Sequence, residues 1–334
     1  MPTRTLMLHI GMGKTGTTAL QIAFTRNREL LRDHGIEYPE HESDHDAVRG
    51  NVVSGNGLGI ISYMAPLADV SMQATAGAHD RLTKAVSESR CPTVLYSSEL
   101  LYNFRSDRLK ELVDEFSEAG IAVDVVLYLR DVAGHALSSY SQDVKRGLYA
   151  GTVSDYLSRP YAPRMSARIS SLIQIVGQEH LHVYRWDSHR SRLVQHFFTE
   201  VLGLVNADGI SVERQNVNRS LTRAELDAMR FMNRSLSGKK AARVVSDALI
   251  SGPPVGEVKR EVTEGEVEVL EERFRSELDW INEAVLPGDN LQLVGDVAIV
   301  DAHSQDEEFS ARELRVMECL VHVANSFAAA ESRK

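Results

Sequence analysis

Eight consecutive residues near the start of the chain, Gly11-Met12-Gly13-Lys14-Thr15-Gly16-Thr17-Thr18, have the composition of an anion cradle. Glycines let the backbone turn tightly, and amides at the start of a helix then point at one place with the helix dipole behind them. Lys14 adds a full positive charge, and Thr15, Thr17 and Thr18 add hydroxyl donors. The same residues also suit a plain glycine turn with an N-capping threonine. A Walker A loop needs a glycine five positions before the Gly-Lys pair. Leu8 stands there instead, and a further glycine, Gly16, follows the Lys-Thr pair, so that pattern fails.

A second anion-binding set follows the most apolar run of the chain, residues 121–129 (IAVDVVLYL). It reads Arg130-Asp131, then Ser138 and Tyr140. A planar guanidinium fork suits a dianionic phosphate, and a hydroxyl about two helical turns on can share its oxygens. Between the two sets, Glu99 follows a short apolar run and precedes the aromatics Tyr102 and Phe104. A carboxylate there can take a proton from a substrate, although a glutamate at a helix start also simply complements the dipole. His41 and His45 are rival bases, because imidazole titrates near neutral pH. With Asp44 they also form a weak metal-ligand pattern. Asn216-Val217-Asn218-Arg219-Ser220-Leu221 precedes a helix beginning near Thr222, where Ser220 or Thr222 would serve as an ordinary N-cap. Trp186, between Arg185 and Asp187, offers a flat surface for a base or a plain core aromatic.

The elements that must position these residues alternate. Residues 5–10 read as a strand, 15–34 as a helix and 41–59 as a long polar loop. Then come a helix over 78–89, a strand over 93–97, a helix over 109–119, the strand 121–129, a helix over 132–146 and a short strand over 182–184. Short apolar strands alternating with helices imply a parallel sheet covered on both faces, with ligands outside the carboxyl ends of the strands. After Ser220 the pattern is mostly helical and charged, broken at Gly252-Pro253-Pro254 and ending in an amphipathic helix over 310–330. There is no internal repeat and no low-complexity tract.

The 334 residues, 43% hydrophobic, can bury a real core. A formal net charge of -10 argues against nucleic acid as a partner and against a long polyanionic substrate. Two cysteines, Cys91 and Cys319, supply neither a disulfide framework nor a cysteine zinc site. Residues 1–10 lack the apolar core of a signal peptide and no run is long enough to span a bilayer, so a cytoplasmic protein is expected.

The loop with its flanks His9-Ile10-Gly11 and Leu20-Gln21 resembles the 5′-phosphosulfate loop of bacterial sulfotransferases, a short Lys-Ser/Thr-Gly-Thr-Thr run after the first strand. Arg130 and Ser138 stand at that family's spacing for the arginine and serine that hold a 3′-phosphate, and Tyr140 matches the aromatic that follows. Glu99 resembles in topology the base of the heparan-type branch, though the intervening Lys-Ser/Thr-Pro run is missing. Asn218 and Ser220 resemble an Asn-x-Ser-Leu loop seen over the nucleotide in bacterial members.

The resemblance covers about the first two thirds of the chain. It implies a three-layer α/β sandwich with a central parallel sheet, the P-loop nucleoside-kinase-like sulfotransferase fold, with a helical C-terminal part. Residues 1–222 would form the core and 223–334 a mainly helical extension packed on it. It further implies 3′-phosphoadenosine-5′-phosphosulfate (PAPS) as donor, with no metal required. Lys14, Thr15, Gly16, Thr17, Thr18, Arg130, Ser138, Asn218 and Ser220 would hold the donor, and Lys14 and Glu99 would act in catalysis. His41, His45 and Tyr102 would touch a small-molecule or carbohydrate acceptor whose identity stays open. A nucleotide-dependent phosphotransferase on the same fold, or a donor-binding protein without turnover, are the alternatives.

Overall fold

The alternation of apolar runs and helices yields five parallel strands: β1 (Arg4–Ile10), β2 (Ile36–Glu37), β3 (Thr93–Ser98), β4 (Ile121–Leu129) and β5 (Leu181–Arg185). Their spatial order is β2-β3-β1-β4-β5. The computed structural model describes residues 4–42, 44–48, 54–66, 71–159, 163–204, 210, 219–302 and 309–331.

β1 lies at the centre, paired with β3 on one side and β4 on the other. Ile10 is opposite Ser98, so these two strands end level. His9 is opposite Val126, and β4 runs on to Leu129, past the end of β1. The chain leaves β1 toward β2 on one side and leaves β4 toward β5 on the other. The gap between the carboxyl ends of β1 and β4 is therefore the topological switch point, where open α/β sheets bind ligands.

Both faces of the sheet are covered, which is why its central strands β1 and β4 are mostly apolar. On one face Met7, Leu95, Val126 and Tyr128 pack with Leu20, Phe24, Leu31, Phe197 and Phe198. By the pleat, Leu6, Leu8, Val125 and Leu127 face the other way, where the helices Ser106–Glu118 and Met165–Val176 pack on β4. The helix expected over 15–34 is two helices, α1 (Thr17–Arg26) and α2 (Arg28–Asp33). Asn27 breaks it by turning its own side chain back to the Ala23 carbonyl at 2.8 Å. The segment expected as loop over 41–59 contains a short helix, Asp44–Val48, and the start of a 3₁₀ turn, Asn56–Ile60.

The chain forms two compact units. The first comprises Met1–Arg130, Arg164–Val217 and Glu277–Leu291, and holds the sheet. The second comprises Asp131–Pro163, Asn218–Ser276 and Gln292–Lys334. This grouping differs from a single cut after residue 222. The helix Val132–Lys145 joins the second unit because its Ala136, Tyr140 and Val144 are buried and Asn233 donates to the Val144 carbonyl at 2.7 Å. Such a partnership between distant segments leaves no mark in local periodicity.

The second unit packs Met229, Met232, Ala241, Val245, Met317 and Val321 between helices. It also contains a small parallel pair that three-residue runs did not announce, β6 (Glu261–Thr263) and β7 (Ala298–Val300). Among the described residues no helix is long and apolar enough to cross a membrane.

Candidate functional site

The glycine loop leaves β1 at Ile10 and is pinned at once, the Gly11 amide donating to the Ser98 carbonyl at 3.4 Å. A Cβ on Gly11 would overlap Thr17 Oγ1, so the start of α1 tucks against the strand end only because Gly11 has no side chain. Two residues in the left-handed region, Lys14 (φ 71°) and Gly16 (φ 78°), turn the chain. Glycine adopts that conformation freely, whereas lysine pays about 1–2 kcal/mol. Thr15 Oγ1 closes the turn on the Met12 carbonyl at 2.6 Å.

No side chain caps α1, which excludes the plain N-capping reading of the threonines. The first turn's donors to Gly16 are the amides of Ala19 and Leu20, at 3.0 and 3.2 Å. The preceding amides of Thr17 and Thr18 have no carbonyl four residues back in the helix. Beneath them, Thr17 Oγ1 is buried without a hydrogen-bond partner. An uncapped helix start, an orphaned hydroxyl and a lysine together make a place that an anion would complete.

Arg130 stands one residue past β4, across the switch point. It is 3% exposed, and its guanidinium donates to the Lys14 carbonyl at 3.3 Å. The same guanidinium lies 4.6 Å from the centre of the Trp186 ring, and Arg190 lies 5.7 Å from that ring. A side chain on Gly16 would come within 2.5 Å of Leu193 and 3.3 Å of Trp186 Nε1. Trp186 is thus neither a deep core residue nor a lone surface ring. It is a half-buried plate with two guanidiniums near its ring, beside the loop. Arg190 was not singled out from sequence, and its place four residues after Trp186, past β5, is the signal that marks it.

Beneath the loop sits His9, 1% exposed, bonded through Nδ1 to Ser97 Oγ at 2.8 Å. Its ring meets Phe197 edge-on at 5.3 Å. Burial lowers its pKa to about 3, so it is neutral and supports the strand ends rather than exchanging protons.

Glu99 follows Ser98, the residue level with Ile10, and so stands beside the start of the loop on the neighbouring strand. It is exposed and opens the 3₁₀ turn Glu99–Asn103, whose first free amide, Leu100, donates to Ser98 Oγ at 3.2 Å. Tyr102, in the same turn, has its phenol pKa pushed up by burial. The Arg168 guanidinium lies 5.9 Å from the Tyr102 ring and donates to the Phe104 carbonyl at 2.7 Å. The His41 amide donates to Asp44 at 2.9 Å, and Asp44 is ion-paired with Arg28 at 2.6 Å. His45 is exposed on the short helix. Among the described residues no group of three His, Cys, Asp or Glu side chains is placed to hold a metal ion.

The remaining donor-site candidates fall in the second unit. Ser138, on the helix Val132–Lys145, and Ser220 line one pocket there, together with Ser141, Arg223, Lys259 and Arg260. Two carboxylates share it, Asp227 at 3.0 Å from Arg223 and Glu261 at 3.7 Å from Lys259. Asn218 lies outside the described residues. The helix Arg223–Asn233 is capped by Thr222, in a box with Glu225, and not by Ser220. Arg219 forks onto Glu225 and reaches the carbonyls of Leu249 and Gly252 at the end of the next helix.

No protein-family model matches this chain and no curated protein matches it. Among solved structures, a sulfotransferase from Alicyclobacillus acidocaldarius aligns over 76% of this chain and 97% of that chain, with 16% sequence identity and a TM-score of 0.37. A superposition that loose leaves the functional reading to rest on the site itself.

Proposed function

We propose that this chain is a sulfotransferase, moving a sulfuryl group from PAPS to a hydroxyl or amine of a small-molecule or carbohydrate acceptor. The observation that carries the reading is the switch point between β1 and β4. There an uncapped helix start with a buried, orphaned Thr17 hydroxyl lies next to Lys14, and Arg130 bonds to the same loop. PAPS is anionic at both ends, and the chain offers cationic and hydroxyl groups in two sets that match them.

In this reading the amides of Thr15, Gly16, Thr17 and Thr18 hold the 5′-phosphate, and Lys14 stabilises charge that grows on the bridging oxygen during an in-line displacement. Arg130 and Ser138 bind the 3′-phosphate and thereby align the reacting end. Asn218 and Ser220 contribute on the nucleotide side, and Trp186 lies beside the loop as an aromatic surface. Glu99 removes the acceptor proton. Tyr102, His41 and His45 belong to the acceptor side.

Titration calorimetry tests the donor assignment. Adenosine 3′,5′-bisphosphate should bind at least about tenfold more tightly than 5′-AMP, the worth of one charge-assisted contact to the 3′-phosphate. Equal affinities would remove Arg130 and Ser138 from that role. A preference for ATP over the bisphosphate would turn the reading toward a phosphotransferase.

A further inference from the structure

β3 is paired with β2 only through Thr93 and Val94, opposite Ile36 and Glu37. Its outer edge then continues, unpaired by any strand among the described residues, toward Ser97, Ser98 and Glu99. A side chain takes the place of the strand. Asn56 Oδ1 accepts from the Ser97 amide at 2.8 Å, and Asn56 Nδ2 donates to the Leu95 carbonyl at 2.9 Å. These are the two groups a neighbouring strand would bond on that edge. The remaining amide hydrogen reaches the Pro39 carbonyl at 3.3 Å, and the Asn56 backbone N–H donates to Tyr38 Oη at 3.4 Å. Asn56 is 2% exposed.

The glycines on either side let it dock. Gly55 is left-handed (φ 72°), and a Cβ there would overlap the Ser97 carbonyl oxygen. A Cβ on Gly57 would lie 2.7 Å from Ser98 Cβ and 3.0 Å from Leu101 Cδ1. The turn's backbone therefore lies directly on the last residues of β3 and on the 3₁₀ turn that Glu99 opens. β1 holds the opposite edge, through the Gly11 amide and the Ser98 carbonyl. Among the described residues nothing bonds the Glu99 carboxylate, so what the fold fixes of this residue is the backbone beneath it.

We infer that Asn56, seated between Gly55 and Gly57, is a positioning residue for Glu99, acting as a one-residue substitute strand that fixes the end of β3. The inference rests on the reading of Glu99 as the base. A base displaced by about 1 Å loses one to two orders of magnitude in rate without losing the donor site.

Three measurements test it. Hydrogen exchange at the Ser97 amide should accelerate at least about tenfold in Asn56→Ala, whatever the protein catalyses, because that amide loses its acceptor. Single-turnover transfer to a responsive acceptor should slow at least about tenfold, with affinity for adenosine 3′,5′-bisphosphate within about twofold of wild type. In a Glu99→Gln background, Asn56→Ala should slow transfer no further, since a residue acting only through Glu99 has nothing left to position. Gly57→Ala should reproduce the rate loss and serves if Asn56→Ala does not fold. Gly265→Ala, whose Cβ meets nothing within 4 Å, should keep the rate. Additive losses in the Glu99→Gln background, or parallel loss of donor binding, overturn the inference. A wild type that transfers no sulfuryl group overturns the proposed function and Glu99 as base, while exchange at Ser97 separately decides whether Asn56 holds β3.

Discussion

Lys14 occupies a backbone conformation that suits glycine better than lysine, in a loop where glycines stand on either side of it at positions 13 and 16. A strained residue kept at a turn proposed to hold the donor points to its side chain as the reason. Lys14→Gly should therefore raise the thermal midpoint, by relief of about 1 kcal/mol, while slowing sulfuryl transfer at least about a hundredfold. Lys14→Ala should slow transfer similarly and change donor affinity far less, which kcat and KM measured separately will show. Normal turnover with a raised KM would reduce Lys14 to plain binding. His9 makes a second residue-scale prediction, about pH. Its folded pKa, about 3, lies below the ordinary 6.5 because burial disfavours the charged ring. Between those values the unfolded chain takes up a proton that the folded protein refuses. The stability contributed by neutral His9 is thus complete above pH 6.5 and drains away as pH falls, by about 2 kcal/mol at pH 5. His196, lowered to about 4 by burial, acts in the same direction. Melting curves at pH 7 and pH 5 should show a smaller drop for His9→Asn than for wild type. Equal drops would place the refused proton elsewhere.

At the scale of elements, the junction of β1 and α1 depends on one missing methyl group. Gly11→Ala would force Cβ against Thr17 Oγ1 and part the helix start from the strand end. It should cost about 1–3 kcal/mol of stability and most of the affinity for adenosine 3′,5′-bisphosphate. Gly13→Ala, with nothing within 4 Å of the added atom, should leave the thermal midpoint in place. A Gly11→Ala protein with unchanged midpoint and affinity would show that the loop tolerates a different path. How far sequence reaches is clear from these same elements. β4 runs over the residues its apolar run specifies, Ile121–Leu129, with Asp124 as the one charged interruption, and β1 differs from expectation only by starting at Arg4. The loop and Arg130 could be found because both follow such strands. What stayed hidden depends on tertiary partners. Asn27 splits a periodic helix through one side-chain bond, and β6 and β7 are three residues each, too short for periodicity to register. Asn56 in its polar segment looks like any loop asparagine until β3 is seen to lack a strand beside Ser97. Arg190 is only another surface arginine until Trp186 is placed.

For the whole molecule the governing quantity is a net charge of -10, against which Lys14, Arg130 and Arg190 come from one neighbourhood of the first unit, Arg130 bonding the Lys14 carbonyl and both guanidiniums lying by the Trp186 ring. A small anion that reaches the loop feels those three charges at short range. A long polyanion also feels the rest of the surface, and at low salt that field opposes its approach. Acceptor choice should therefore depend on ionic strength in a definite direction. With donor saturating, kcat/KM for a polyanionic oligosaccharide should be poor at about 0.01 M salt, where the Debye length is about 30 Å. It should rise severalfold by about 0.15 M, where that length is about 8 Å and repulsion from distant carboxylates is screened. A neutral hydroxylated acceptor of similar size should show little change across the same range, which separates the effect on approach from any effect of salt on the loop itself. The opposite result, a polyanion rate that falls steeply as salt rises, would mean that an attractive basic surface near the acceptor outweighs the total charge. Replacing Arg190 by Ala tests that surface directly. Its removal should leave the neutral acceptor's rise or fall with salt unchanged, and if it abolishes a steep fall for the polyanion, the acceptor is anionic and the bulk charge of the chain is a poor guide to it.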